Sequence, residues 1–194
     1  MLEHRHAVEL RHAYRLMNHG PTVLVSAAHA GVRNLMAAAW AMPLDFAPPK
    51  VAVVIDKSTF TRGLVEASGR FALNLPCADQ ADMAYAVGNV HGGPEGLADK
   101  FGHFGIGSFE GQTPGLPLVA GCVGWLECRL LPEPQVQETY DLFLGEVVAA
   151  QADARVFSAG HWHFDGHPGL RTLHHVAGGQ FLLPADAVQA RLPA

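Results

Sequence analysis

Gly and Pro punctuate this chain at intervals too short for long helices. Gly20-Pro21, Ala30-Gly31 and Ala47-Pro48-Pro49 all fall within its first fifty residues. Between them lie apolar runs over 22–28, 32–42 and 50–56, rich in Val or Ala. Runs of this length, separated by turn residues, predict strands. Residues 22–28 and 32–42, joined by His29-Ala30-Gly31, predict a hairpin, and 50–56 predicts a strand buried on both faces. A short helix is expected over 58–69, capped by Ser58, Thr59 or Thr61 and stopped at Gly69. A strand over 71–76 and a second helix over 78–87 follow. Residues 88–121 are Gly-rich, with one helical turn expected near 94–101, and irregular segments of that length tend to be functional. Strands are expected over 119–131 and 142–150, around a Pro-flanked turn, with a last hairpin from 156–164 and 170–176. A helical lead-in over 3–18 opens the chain. Many strands and few short helices predict a mainly β fold, a barrel with peripheral helices, as one domain over 1–194.

Charge narrows the function. Thirteen Lys and Arg stand against eighteen Asp and Glu, a net charge of −5. No global positive field is available to hold nucleic acid or an anionic membrane. No apolar stretch reaches the eighteen or so residues that would cross a bilayer. The opening Met1-Leu-Glu-His lacks the basic-then-apolar layout of a secretory leader. Cys77, Cys122 and Cys128 form no C-x-x-C pair, so neither a disulfide framework nor a thiolate zinc site is signalled. A cytoplasmic protein with reduced thiols is expected.

Asp56-Lys57-Ser58-Thr59-Phe60-Thr61 places hydroxyls and a Lys where a strand gives way to a helix. Helix-start N–H groups, hydroxyls and an ammonium together suit a phosphate-sized anion. The plain alternative is that Ser58 or Thr59 caps the helix while Lys57 sits in water. Asn34-Leu-Met-Ala-Ala-Ala-Trp40 is a second candidate, because small residues let a flat ring approach the backbone. A bland buried strand explains it equally well. His161 and His163 would share one face of a strand, with His167, His174 and His175 nearby in sequence. No H-E-x-x-H helix accompanies them, so no metal site is assigned. No G-x-G-x-x-G, P-loop or G-x-S-x-G motif occurs, and no catalytic residue is assigned.

In order along the chain, these pieces resemble the flavin reductase-like family of FMN-binding split barrels, which includes the flavoredoxins. The pieces are Asn34–Trp40, Pro48-Pro49, the run 51–56, Lys57–Thr61, the run 69–76, Asp99-Lys100-Phe101 and the run 143–148. The resemblance implies a homodimer that binds FMN near the subunit interface. It implies that Asn34, Met36, Ala37, Ala38, Ala39 and Trp40 pass the isoalloxazine ring. Asp56, Lys57, Ser58, Thr59 and Thr61 match the phosphate loop, and Lys100 and Phe101 match a segment that approaches the flavin. Relatives often carry Thr or Ser where this chain has Ala37 and Ala39, so side-chain hydrogen bonds to the ring are absent there. The implied chemistry is hydride transfer from NADH or NADPH to FMN, with a flavin-dependent monooxygenase or another electron acceptor downstream. The alternatives are a flavoredoxin-like electron carrier and a split-barrel binding protein without reductase activity.

Overall fold

The computed structural model describes residues 3–192. Its strands are β1 (Arg5–Ala7), β2 (Val23–His29), β3 (Val32–Ala38), β4 (Ala41–Phe46), β5 (Pro49–Val54), β6 (Arg70–Leu75), β7 (Ser108–Glu110) and β8 (Pro117–Val119). They continue with β9 (Gly124–Leu131), β10 (Leu142–Asp153), β11 (Phe157–Ser158), β12 (His161–Trp162), β13 (His174–Ala177) and β14 (Gln180–Leu182). The α-helices are α1 (Leu10–Ala13), α2 (Phe60–Ser68), α3 (Ala81–Gly88), α4 (Lys100–His103) and α5 (Pro134–Tyr140). The main sheet is antiparallel and runs β3-β2-β6-β9-β10-β5-β4, with β1 added beside β10.

Side-chain alternation explains why this sheet curls. Val23 and Val25 of β2 share one apolar cluster with Leu73 of β6, Leu126 of β9, Phe143 of β10 and Val53 of β5. Strands so far apart in the sheet can pack one face together only if that face closes on itself. The opposite face, with Leu24, Ala72 and Trp125, packs under Ala84 and Val87 of α3 and Phe101 of α4. Central strands are therefore covered on both sides, which is why they read as continuous apolar runs. Among the described residues the two end strands, β3 and β4, make no ladder with each other, and the barrel is split there. The architecture is the mainly β split barrel with few helices that the sequence reading expects. No helix among the described residues is long and apolar enough to cross a membrane.

Local departures have physical causes. The lead-in expected as one helix over 3–18 instead gives β1, the single turn α1 and a 3-10 turn at Tyr14–Leu16. β5 covers Leu142–Glu146 of the long β10, leaving Gln151–Asp153 to pair with β1. Pairing of exposed strand edges overrides weak helix propensity. The run 32–42 is two strands, because the chain turns at Ala39-Trp40 and β4 leaves β3 to pair with β5. The Pro-flanked turn before β10 is the helix α5, with Pro134 in its first turn and Asp141 ending it at φ 54°. The turn expected near 94–101 falls later, in α4, and the last hairpin is two small ones, β11–β12 and β13–β14. Helix α2 stops where expected: Gly69 takes φ 66° and its N–H closes on Val65 O.

Gly145 shows how tightly the barrel interior is filled. A Cβ there would lie 2.5 Å from the Phe71 ring and 3.0 Å from Cys128 Cβ. Phe71 is fully buried and cannot swing away. Gly145→Ala is expected to cost about 1–3 kcal/mol through overpacking. Thermal unfolding should show a midpoint about 2–4 °C lower per kcal/mol, and an unchanged midpoint would contradict this packing.

Candidate functional site

A cavity of about 300 Å³ opens between β3, the start of α2, the segment after α3, and α4. From the residues singled out in the sequence it gathers Asn34, Met36, Ala37, Thr59, Thr61 and Lys100. Asn34 and Thr61 are buried, and Asn34 Nδ2 donates to Thr61 Oγ1 at 3.0 Å. Asn34 Oδ1 is buried with no hydrogen-bond partner. Gly92 lies against the same side chain, and a Cβ there would approach Asn34 to 2.4 Å. The backbone thus comes closer to Asn34 than any other residue type permits.

Lys100 is only 3% exposed. Its ammonium donates to Val87 O at 2.9 Å, and no ion pair among the described residues includes it. Burial pulls its pKa down to about 8, so at neutral pH it is a buried cation without a counter-charge. Asp99 positions it by capping α4, its carboxylate accepting from Phe101 N. Arg33 of β3 holds Asp99 through two hydrogen bonds of 3.2 and 3.0 Å, and its guanidinium lies 4.6 Å from the Phe101 ring centroid. The Arg33 hydrogen bond keeps the Asp99 carboxyl below the usual carboxylate range. Phe101 itself is buried in the cluster beneath β2 and β6, outside the cavity wall.

The 56–58 turn is organised around its own carboxylate. Asp56 accepts from Ser58 N at 2.7 Å and Ser58 Oγ at 2.6 Å, while Thr59 Oγ1 donates to Asp56 O. Asp56, Lys57 and Ser58 do not line the cavity, and Lys57 Nζ reaches toward Glu138 O and Asp141. Because the Thr59 hydroxyl turns back, no side chain caps α2. Thr59, Phe60 and Thr61, at the start of this nine-residue helix, line the cavity, and the first N–H groups there receive no side-chain cap.

A second cavity, about 290 Å³, shares Ala37, Gly88 and Asn89 with the first. It continues along β3 past Ala38 and Ala39, with Tyr85, His175 and Phe181 opposite. Trp40 stands beyond it, 76% exposed. A larger cavity, about 640 Å³, lies elsewhere, beside Arg33, Arg70 and Glu110. None of the buried, unpartnered side-chain atoms belongs to its wall. The histidine pair is occupied locally: His161 Nδ1 meets Ala159 O and His163 Nε2 meets Ser158 Oγ, each at 2.8 Å.

Arg33 and His91 carry no signal in the sequence, yet they support or line the first cavity; Asp99 enters only through the Asp99-Lys100-Phe101 match, and 88–92 as part of the Gly-rich segment expected to be functional. The Gly-rich composition of 88–93 was the available signal, since close backbone approach requires it.

A sequence model of the flavin reductase like domain matches residues 14–170. The chain is 50% identical over 186 residues to an uncharacterised Escherichia coli protein, YddH, spanning 94% of this chain and 96% of that one. The crystal structure of an FMN-binding domain of a flavin reductases-like enzyme from Shewanella baltica matches with a TM-score of 0.92 at 49% identity, covering 96% and 97% of the two chains. An FMN reductase (NADH), RutF, from Stutzerimonas stutzeri is 26% identical over 120 residues, 60% of this chain and 64% of that protein.

Proposed function

The chain belongs to the flavin reductase-like domain family, and from that premise we propose that it binds FMN and acts as an NAD(P)H-dependent flavin oxidoreductase. One observation carries the cofactor: a buried lysine without a counter-charge shares a cavity with a buried, unpartnered amide oxygen. Such a pair calls for a ligand that brings both an anion and a hydrogen-bond donor. FMN has both, in its phosphate and in its ribityl hydroxyls or ring N–H.

Lys100, the Thr61 hydroxyl and the first N–H groups of α2 meet the phosphate in this reading. Asn34 Oδ1 accepts from the ligand. Thr61 Oγ1 already accepts from Asn34, which leaves its proton free to donate. Met36 to Ala39 let a flat ring lie against the β3 backbone, and the two adjoining cavities together have the volume of a cofactor site. When bound, FMN supplies the hydride-accepting ring, while the chain aligns it and limits water. A second subunit covers the open side of that ring, near Trp40. Cys77, Cys122 and Cys128 are all buried free thiols, which fits a working place in the reducing cytoplasm, where a monooxygenase or another acceptor takes the electrons.

The protein is expected to purify yellow, to prefer FMN over FAD, and to bleach anaerobically when NADH or NADPH is added. Colourless protein that takes up no FMN would sink the cofactor assignment. Bound FMN that neither nucleotide bleaches would leave a carrier and remove the reductase.

A further inference from the structure

Away from the proposed flavin site, a fourth cavity of about 270 Å³ lies under the C-terminal segment 184–187. It shares no wall residue with the other three. Its walls include His19, Trp162, Phe164, Asp165, Arg171 and Asp186. Two of the few buried, unpartnered side-chain atoms among the described residues are carried by residues of this wall: Arg171 Nε and His19 Nδ1. No ion pair among those residues includes Arg171. His19 is fixed from its other side, Nε2 lying 2.8 Å from Thr172 Oγ1, and its ring packs edge-on against Trp162. Phe164 stacks on Trp162 at 5.3 Å, giving the cavity an aromatic wall.

We propose that this cavity is a second ligand site, which takes a small aromatic monocarboxylate. A guanidinium whose buried Nε has no acceptor is matched by a carboxylate, which can use its planar fork. The aromatic wall favours a flat apolar body. The volume is at the small end of ligand sites, enough for one ring and its carboxylate and too little for a nucleotide. The two wall carboxylates oppose any anion and a dianion most, because like charges repel, so a single negative charge set against the Arg171 guanidinium is favoured over a phosphate dianion. Burial holds His19 at a pKa of about 4, so at neutral pH its imidazole is neutral and Nδ1 offers one hydrogen bond to a ring substituent. The inference does not rest on the flavin reading.

The test is titration of the FMN-treated, ¹⁵N-labelled protein with benzoate, followed at the indole N–H signals of Trp40, Trp125 and Trp162. Saturable movement of the Trp162 signal is expected, with a dissociation constant of about 1 mM or tighter. Benzamide, which lacks the charge, should bind at least about tenfold more weakly, as should Arg171→Gln to benzoate. Phe164→Leu keeps the apolar bulk, removes the aromatic face and should also weaken benzoate; it serves alone if Arg171→Gln fails to fold. Non-saturating shifts, movement confined to Trp40, equal binding of benzamide, or variants that bind benzoate as the parent does would each overturn the site.

Discussion

Lys100→Met is expected to weaken FMN binding about ten- to a hundredfold, while changing riboflavin, which lacks the phosphate, far less. A charge-assisted hydrogen bond contributes about 1.5–3 kcal/mol, and 1.4 kcal/mol is a factor of ten. Its pH dependence supplies a second readout. In the free protein burial sets the Lys100 pKa at about 8. A bound phosphate favours the charged lysine and raises that pKa, so binding above pH 8 requires proton uptake. FMN affinity should therefore fall as pH rises through 8, by at most about tenfold per unit, until the pKa of the complex is passed. It should also fall below about pH 6, where the phosphate takes up its second proton. The Met variant keeps the acid limb and loses the alkaline one. In the free protein the same lowered pKa makes the fold gain stability from pH 8 toward the ordinary lysine value, because the unfolded chain binds more protons there. Fluorescence titration of both flavins across pH 5.5–9.5 checks all of this, and an FMN-to-riboflavin affinity ratio unchanged by the variant would remove Lys100 from the phosphate site.

What could be read from the residues alone divides along local and non-local physics. Strands β2, β5 and β6 and helix α2 were legible because their signals are contained in their own sequences: apolar runs, and Gly69 at a left-handed stop. The β1 edge was not, because its reason is Asp153 and Gln151, which no local pattern connects to Arg5 and Ala7. The same limit applies to the candidate site. Lys100 was noticed through a resemblance, but its isolation from any counter-charge depends on how β3, α3 and α4 enclose it. Arg33 reads as an ordinary exposed strand residue until Asp99 is found beside it. At 56–61 composition points to a phosphate loop, whereas the geometry commits the Ser58 and Thr59 hydroxyls to Asp56 and leaves Thr61, with Thr59 and Phe60, in the cavity wall. Hydroxyl content alone does not reveal whether such groups are already engaged.

The second large effect concerns β4. Met42, Leu44 and Phe46 alternate with better-covered neighbours and are 53%, 45% and 66% exposed, continuing from Trp40 at 76%. This is an end strand at the split of the barrel, and a row of large apolar side chains on an edge is an association surface in water. It also adjoins the ring end of the proposed flavin site, through Ala39 and Trp40. In the proposed homodimer a second copy of the chain would bring the same strand to this edge, a self-complementary contact that two-fold symmetry closes. The Met42→Lys/Phe46→Glu double variant is expected to dissociate this dimer. Central interface residues contribute about 2 kcal/mol or more each, so losing two weakens association about a thousandfold. Light scattering at micromolar concentration should move from twice the chain mass toward 20.7 kDa. Because these side chains lie outside both cavities of the proposed flavin site, any accompanying loss of FMN affinity reports the missing subunit rather than a damaged pocket. A parent protein that already runs as a monomer with FMN bound would refute the interface, and a variant that stays dimeric would place it on another face.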